Sequence, residues 1–303
     1  MQQNQHGSSP AGTPAANPVP GTGGGPKMTR RQFLKRGAAT VIGAAALSGG
    51  YAWQAEPRWL EVTRHRITVA GLPSGFDGIK VIHFSDTHLG FHKEASDLSG
   101  LLAGIKREQP DLICFTGDIV DSEPRDARPA VPLLAELTAP LGKYAILGNH
   151  DYKNAPALAG LLESAGFRVL RNASARIRRG GGEMAIAGIE DMLHGRPDPE
   201  AALSDVPKGM CTLLLMHEPD YADTAAAYPF HLQLSGHSHG GQIRLPFVGA
   251  PYTPYGAQKY VAGLYHVGQR GMPLYVNRGF GMTYMPFRFL CRPELSVLTL
   301  RKG

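Results

Sequence analysis

Eight side chains that could bind metal ions or transfer protons lie in five short groups along the chain. They are Asp86, His88, Asp118, Asn149, His150, His217, His237 and His239. Carboxylates and imidazoles together are the ligands that first-row divalent ions such as manganese, iron and zinc take. Two pairs in this set have a spacing of two residues, and side chains at that spacing point the same way only where the backbone is not helical. These residue types at these spacings predict a metal site built on loops.

The segment that precedes each group has the apolar composition of a buried strand. The segments are Ile79–Phe84, Asp111–Thr116, Tyr144–Leu147, Thr212–Met216 and His231–Leu234. Ligand sites in open α/β sheets form beyond the carboxyl ends of strands, so the five groups could converge on one edge of a sheet. A single Asp-x-His or Gly-Asp is more often structural than functional. Five such groups in order, each after a strand, instead indicate a site.

The remaining segments predict further strands and helices around these five. Helices are predicted at about 94–107, 130–137 and 155–165, and strands at 62–69, 167–171, 174–179, 184–189, 273–277 and 295–300. Pro110 would end the first helix, because proline cannot continue the helical hydrogen-bond ladder. Strands that alternate with helices are typical of an α/β protein.

The ordered groups resemble the motifs of the calcineurin-like metallophosphoesterase superfamily over the span from Ile79 to His239. The motifs read Asp86-Thr87-His88, Gly117-Asp118-Ile119-Val120-Asp121, Gly148-Asn149-His150-Asp151, His217 and Gly236-His237-Ser238-His239. The chain is also similar to the bacterial YaeI/YkuE-like phosphodiesterase branch. This similarity rests on an export-signal pattern near the N-terminus, on Gln242 and on the C-terminal stretches 277–281 and 292–295. The resemblance implies a four-layer α/β/β/α sandwich.

The same resemblance implies a role for each residue of the set. One ion would be bound by Asp86, His88, Asp118 and His239, and the other by Asp118, Asn149, His217 and His237. Asp118 would therefore bridge the ions. His150 would donate a proton to the leaving group or stabilise the transition state, and Asp121 would hold His150 in orientation. The implied cofactors are two divalent ions, manganese, iron or zinc, with manganese preferred.

These roles imply a binuclear phosphoesterase in which a metal-bridging hydroxide attacks a phosphate ester. A phosphodiesterase is the preferred interpretation. A phosphomonoesterase or pyrophosphatase acting on an envelope lipid similar to UDP-diacylglucosamine, or on a nucleotide, stays open. A non-catalytic metal-binding module is a remote alternative, because no motif residue has been lost. The aromatic and Met-rich tract 246–292 either packs in the core or forms an apolar wall for an acyl chain or a nucleoside.

The composition of the first 55 residues predicts a targeting segment rather than a folded domain. Residues 1–27 have almost no large apolar side chains, which predicts a disordered extension, and Met28 could be the true start. Residues 28–55 carry a paired arginine at Arg30 and Arg31, then Phe-Leu-Lys and an apolar stretch of about 15 residues. This pattern resembles a twin-arginine signal, which is either cleaved or kept as a membrane anchor.

Residues 56–303 would then form the metallophosphoesterase domain. We expect the twin-arginine export machinery as one partner. The expected location is the periplasm or cell envelope, with anchoring to the outer face of the cytoplasmic membrane left open. The expected substrate is a small phosphoester or a phospholipid-like molecule.

The charge distribution argues against nucleic acid as a partner. The net charge is +6, but residues 1–36 contain five basic and no acidic residues, so the remainder is nearly neutral. A near-neutral domain lacks the basic surface that nucleic-acid binding requires. The cysteines Cys114, Cys211 and Cys291 are far apart in the sequence and are expected to be free thiols.

Overall fold

Two sheets of six strands form the framework of the computed structural model, which describes residue 1, residues 12–13 and residues 28–303. The strands are β1 (Glu61–Val69), β2 (Lys80–Phe84), β3 (Leu112–Phe115), β4 (Lys143–Ala145), β5 (Arg168–Val169), β6 (Ala173–Arg179), β7 (Gly182–Gly188), β8 (Thr212–Leu215), β9 (Leu232–Ser235), β10 (Gly263–Val267), β11 (Met272–Val276) and β12 (Glu294–Lys302). Every predicted strand segment overlaps one of these. β10 was not predicted, because half-buried and exposed residues alternate along most of it and no apolar run marks it.

Short helices and turns connect the strands. The helices are α1 (Arg30–Gly50), α2 (Ser99–Glu108), α3 (Pro124–Ala127), α4 (Val131–Ala135), α5 (Ala155–Ser164), α6 (Pro199–Leu203) and α7 (Ala222–Ala225). The helix predicted at 94–107 begins as a 3₁₀ turn, Ala95–Leu98, and continues as α2. It ends where Gln109 adopts a left-handed conformation, φ 50°, directly before Pro110. The helix predicted at 130–137 is shorter, and α5 matches its prediction closely.

The sheet order brings parallel strands side by side in both sheets. The first sheet has the order β1-β12-β2-β3-β4-β5, and β2 to β5 are parallel. The second has the order β10-β11-β9-β8-β7-β6, and β7, β8, β9 and β11 are parallel. Because parallel neighbours end at the same edge, the loops after β2, β3 and β4 lie together, as do those after β8 and β9.

Alternating side chains on the strands build three apolar layers, as period-two strands require. On β2, Ile82 and Phe84 pack with α2 and α5 on the outer face, whereas Val81 points to the second sheet. The middle layer lies between the sheets and contains Leu112, Ile146, Leu213 and Leu234 among others. The far face of the second sheet packs against α7. The result is the predicted four-layer α/β/β/α sandwich, and this fold prediction is confirmed.

One expectation about the five polar groups needs correction. They do not lie at one edge of one sheet, because β2, β3 and β4 belong to the first sheet and β8 and β9 to the second. The face-to-face packing of the sheets instead brings two edges together. The groups can therefore approach a common centre from both sides, which a single edge would not allow.

The chain divides into two compact units, Met1–Ala46 and Leu47–Gly303. The predicted disordered extension, residues 1–27, lies outside the described residues apart from Met1, Gly12 and Thr13. Within the part of the chain that is described, no helix is both long enough and apolar enough to cross a bilayer. The predicted domain start at residue 56 stays a prediction, although Ala52 is already buried in the second unit.

Candidate metal centre

Left-handed backbone turns the candidate ligands toward one another. The φ angles are positive at Asp86 (52°), His88 (43°), Asp118 (57°), His237 (66°) and His239 (49°). This region is sparsely populated by residues with a Cβ, and such strain persists only where the surrounding structure imposes it. Its concentration in the loops after β2, β3 and β9 is typical of a functional site.

Asp86, His88 and His239 form a first buried group. His88 Nε2 and His239 Nε2 are 3.0 Å apart, and His239 Nε2 lies 3.5 Å from Asp86 Oδ1. One ion about 2.1 Å from each nitrogen would span that separation. The donor set of one carboxylate and two imidazoles therefore fits a divalent ion.

Asp118, His217 and His237 form a second buried group. His217 Nε2 is 3.2 Å from Asp118 Oδ2 and also 3.2 Å from Asn149 Oδ1. The side-chain oxygen of Asn149 thus faces the same point as this group. The second group also fits a divalent ion, with a neutral amide as one of its oxygen donors.

Asp118, a member of the second group, also faces the first. Its Oδ2 is 3.4 Å from His88 Nε2 and 3.2 Å from His217 Nε2, so one oxygen faces both sets of donors. Its other oxygen, Oδ1, accepts a hydrogen bond of 2.9 Å from the main-chain N–H of His150. The carboxylate is therefore held in a position from which a single oxygen could be shared by two ions.

Main-chain carbonyls select the tautomers of two imidazoles. His217 Nδ1 donates to Thr116 O at 2.6 Å, which leaves Nε2 to face Asp118. His237 Nε2 donates to Tyr255 O at 2.9 Å, which leaves Nδ1 toward the second group. Metal-binding histidines are commonly oriented by such a bond from the other ring nitrogen.

Burial and neighbouring charge act differently on the buried imidazoles. Burial would lower the pKa of His217, but the Asp118 carboxylate raises it well above its usual value. Burial, reinforced by His217, lowers the pKa of His237 to about 4. Burial also lowers the pKa of His239 well below its usual value. Neutral His237 and His239 keep the lone pairs that a cation needs, and a cation would replace the proton that His217 attracts.

His150 and Asp121 lie beside the first group, and their contact differs from the expected one. His150 Nδ1 donates to the main-chain oxygen of Asp121 at 2.7 Å, whereas the Asp121 carboxylate oxygen Oδ1 is 3.8 Å from that nitrogen. The same Oδ1 is 3.5 Å from His88 Nδ1. Asp121 therefore orients His150 through its backbone, and its carboxylate faces His88. The side chain of His150 is 20% exposed, so the ring is not closed off from solvent.

Asp151 is a buried residue whose structural role the sequence reasoning missed. Its carboxylate accepts hydrogen bonds from the main-chain N–H groups of Asp118 (2.8 Å), Ile119 (3.0 Å) and Gly148 (3.0 Å). It thereby joins the loop after β3 to the loop after β4. The signal was present, since Asp151 ends the Gly-Asn-His-Asp motif that carries Asn149 and His150.

Two glycines allow the loops to approach the carboxylates closely. A Cβ at Gly148 would clash with Asp118 Oδ1 and lie 2.6 Å from His217 Cε1. A Cβ at Gly236 would clash with Asp86 Oδ2. Gly148 and Gly236 are therefore required for packing against the candidate ligands Asp118 and Asp86.

An apolar cavity of about 100 Å³ adjoins the centre. His239 and Ser238 form its inner end, and Tyr252, Tyr284 and Met285 line its outer part. These three outer side chains are exposed. The predicted aromatic tract thus contributes both to the core, through residues such as Tyr275 and Phe280, and to a wall beside the candidate ligands.

Known proteins resemble this chain over nearly its full length. The chain is 43% identical over 284 residues to the uncharacterized metallophosphoesterase YkuE of Bacillus subtilis, covering 91% of this chain and 98% of that protein. It is 33% identical over 283 residues to the phosphodiesterase YaeI of Escherichia coli, covering 90% and 99%. It is 26% identical over 315 residues to the UDP-2,3-diacylglucosamine pyrophosphatase LpxG of Chlamydia trachomatis, covering 86% and 94%.

A solved structure and a family model also match the chain. The structure of TT1561 from Thermus thermophilus aligns with a TM-score of 0.45 and 14% identity over 67% of this chain and 90% of that chain. The calcineurin-like phosphoesterase family model matches residues 79–241. That interval contains each strand whose end carries a candidate ligand, and it stops two residues after His239. With this match and two relatives above 30% identity, the chain belongs to the calcineurin-like metallophosphoesterases and is a hydrolase of that family.

Proposed function

We propose that the chain is a phosphodiesterase with two divalent metal ions, manganese being preferred over iron and zinc. The observation that carries this proposal is the position of Asp118, whose Oδ2 lies within 3.4 Å of an imidazole nitrogen from each buried group. A shared carboxylate between two donor sets supports a paired centre rather than two separate sites. The 33% identity to a protein named phosphodiesterase supports the choice of diesters.

The ligand assignment follows from the two donor sets. Asp86, His88 and His239 would hold one ion, Asn149, His217 and His237 the other, and Asp118 both. When bound, the two ions would polarise the phosphoryl group and lower the pKa of the attacking water. Because Asn149 is neutral, the site carries less negative charge, which favours the approach of an anionic phosphodiester.

His150 would supply the proton that the leaving group needs. When the bond between phosphorus and the ester oxygen breaks, that oxygen takes the proton from His150 Nε2 and leaves as an alcohol. The Asp121 carbonyl keeps the other proton on Nδ1 and thereby fixes the ring. General acid catalysis of this kind requires a donor within hydrogen-bond reach of the leaving oxygen, and the partial exposure of His150 allows that reach.

A second candidate function is a pyrophosphatase or phosphomonoesterase acting on an acylated envelope lipid. The apolar cavity beside His239 and the exposed side chains of Tyr252, Tyr284 and Met285 support it, because an acyl chain could bury apolar surface there. The similarity to a protein named UDP-2,3-diacylglucosamine pyrophosphatase also supports it. The same metal centre would serve either substrate class.

The deciding experiment is an activity panel on protein reconstituted with Mn²⁺, Fe²⁺ or Zn²⁺. The substrates are bis-p-nitrophenyl phosphate, p-nitrophenyl phosphate, a UDP-diacylglucosamine and a phospholipid. We expect the diester to be hydrolysed at least about tenfold more efficiently than the monoester. Preference for the UDP lipid would establish the second candidate, and no turnover with any ion would reject both.

We also propose that the chain is exported by the twin-arginine route to the periplasm or cell envelope. The N-terminal segment would serve as signal or anchor. This proposal is supported by the paired arginines Arg30 and Arg31 and the apolar residues of α1.

A further inference from the structure

The residues between α1 and β1 are hydrogen-bonded to the C-terminal region of the chain and to the loop after β2. Ala52 O accepts a hydrogen bond of 3.0 Å from the main-chain N–H of Arg288. Pro57 O accepts one of 3.0 Å from Lys93 Nζ, in the loop that follows Asp86 and His88. Ala52 and Pro57 are buried. This segment lies outside residues 79–241, the part of the chain that the family model covers.

Glu56 is the centre of this attachment. It is fully buried, and its carboxylate accepts hydrogen bonds from the main-chain N–H groups of Leu290 (2.9 Å) and Cys291. A buried carboxylate is strongly unfavourable unless its oxygens have hydrogen-bond partners. The hydrogen bonds of the Glu56 carboxylate therefore fix the position of the 288–291 loop.

That loop reaches the first half of the metal centre through Arg288. The guanidinium is fully buried and donates to the carbonyls of Arg278 (2.9 Å), Gly281 (2.6 Å) and Cys291 (3.1 Å). Its Nη2 also lies 3.5 Å from Nδ1 of His239. One side chain thus joins two stretches of the C-terminal region directly behind a candidate ligand.

The stretches that Arg288 joins contact both Asp86 and His239. Gly281 N–H donates to Asp86 O at 2.6 Å. Cys291 Sγ donates to His239 O at 3.3 Å. These bonds act on Asp86 and His239, two of the three residues of the first group, all of which have left-handed backbone. Loosening the loop would release the constraints on both.

We propose that Glu56 and Arg288 are positioning residues that hold the Asp86–His239 half of the metal centre in its binding geometry. The inference rests on the metal centre of the proposed function and extends its support to a segment directly after α1. Neither residue contacts the group formed by Asp118, His217 and His237. Their loss is therefore expected to weaken one ion far more than the other.

The test is a Mn²⁺ titration of the full chain, followed by metal analysis and by electron paramagnetic resonance, which distinguishes a coupled ion pair from a single ion. The variants are Glu56→Gln and Arg288→Lys. Glu163→Gln, an exposed change on α5, is the matched control. Partners that orient a metal ligand typically contribute 10–100-fold to metal affinity. We expect one ion to bind about 10–100-fold more weakly in both variants, with the other ion unchanged and the coupled signal lost.

The melting temperature of each metal-free protein separates positioning from general stability. If Glu56→Gln melts lower but binds both ions as the wild type does, the inference is overturned. Equal weakening of both ions also overturns it. If Glu56→Gln does not fold, Cys291→Ala, which removes only the thiol contacts to the 239–240 backbone, must show the same one-ion effect. A wild type that binds no Mn²⁺ would reject the metal centre itself, and this inference with it.

Discussion

At the scale of single residues, the geometry of Asp118 sets the requirements for the centre. Its two oxygens have different tasks, because Oδ2 faces the imidazoles and Oδ1 accepts the His150 N–H. Asparagine in its place would keep the shape but remove the negative charge that two cations would share. The consequences of that change can be measured directly.

Asp118→Asn is expected to bind well below two Mn²⁺ ions per chain and to lose turnover. The physical reason is that the shared carboxylate compensates part of both ionic charges, and an amide cannot. Metal analysis after gel filtration checks this, with the exposed Asp205→Asn as control. Two tightly retained ions in Asp118→Asn would contradict the assignment of the bridge.

His150→Ala is expected to retain both ions and to lower kcat by about 10²–10⁴-fold for diesters with alkyl or phenyl leaving groups. The loss should shrink for p-nitrophenol, whose anion leaves without a proton. A leaving-group series with metal analysis on the variant measures this, and His266→Ala on the exposed side of β10 is the control. A flat series with intact metals would reject proton donation and leave charge stabilisation. Reduced metal content would make His150 a ligand.

At the scale of elements, a buried carboxylate links the two sheets. Glu294 on β12 accepts hydrogen bonds from Thr63 on β1, Tyr275 on β11 (2.6 Å) and the guanidinium of Arg278 (2.9 Å). β12 belongs to the first sheet and β11 to the second. This cluster therefore fixes the distance between the sheets near the edges that carry the candidate ligands.

The acid sensitivity of folding should depend on Glu294. Burial would raise its pKa, but Arg278 and the hydroxyl donors lower it from 4.5 to about 2. Because the pKa of Glu294 is lower in the folded state, its carboxylate contributes fully to the free energy of unfolding above about pH 4.5. That contribution is lost as the pH falls toward 2. A shift of this size corresponds to about 3 kcal/mol.

Urea unfolding of wild type and Glu294→Gln between pH 6 and pH 3 measures that contribution. The wild-type free energy of unfolding should fall more steeply with decreasing pH than that of the variant, since Gln cannot take up the proton. Glu163→Gln should follow the wild type. Parallel pH profiles for wild type and Glu294→Gln would show that the carboxylate does not titrate differently in the folded state.

At the scale of the whole molecule, the N-terminal segment raises the question of where the protein acts. Replacing Arg30 and Arg31 by Lys is expected to keep active, metal-loaded enzyme in the cytoplasm, because twin-arginine export depends on the arginine pair. Cell fractionation with metal analysis checks this. Efficient export of the double variant would reject the twin-arginine interpretation.

If the chain is exported as proposed, its first residue after export should lie at or before Tyr51. Proteins on this route fold before transport, and in the folded chain Ala52, Glu56 and Pro57 are buried. Residues 53–55 are exposed, but they lie in a helical turn between these buried residues, so cleavage there would require the segment to be released from the domain. Mass spectrometry of the exported chain gives its N-terminus directly. A mature chain that begins at Glu56 would show that residues 51–55 are not a permanent part of the folded domain.

The sequence by itself determined the elements and the residue types of the centre. The apolar segments ahead of Asp86, Asp118, Asn149, His217 and His237 were sufficient to predict β2, β3, β4, β8 and β9, because local composition and period decide whether a buried strand forms. The residue types at the ends of these strands supplied the candidate ligands, and the resemblance to the calcineurin-like metallophosphoesterases implied a role for each.

Only the tertiary structure decided how distant segments meet. Three features depend on packing between distant parts of the chain and cannot be read from local sequence. They are the convergence of two sheet edges, the orientation of the Asp121 carboxylate toward His88, and the hydrogen bond of Glu56 to Leu290, 234 positions away. Left-handed backbone at Asp86, His88 and Asp118 is likewise unfavourable locally and persists only because the surrounding structure holds it. Local preference fixes which side chains are available, whereas long-range packing fixes where their atoms point.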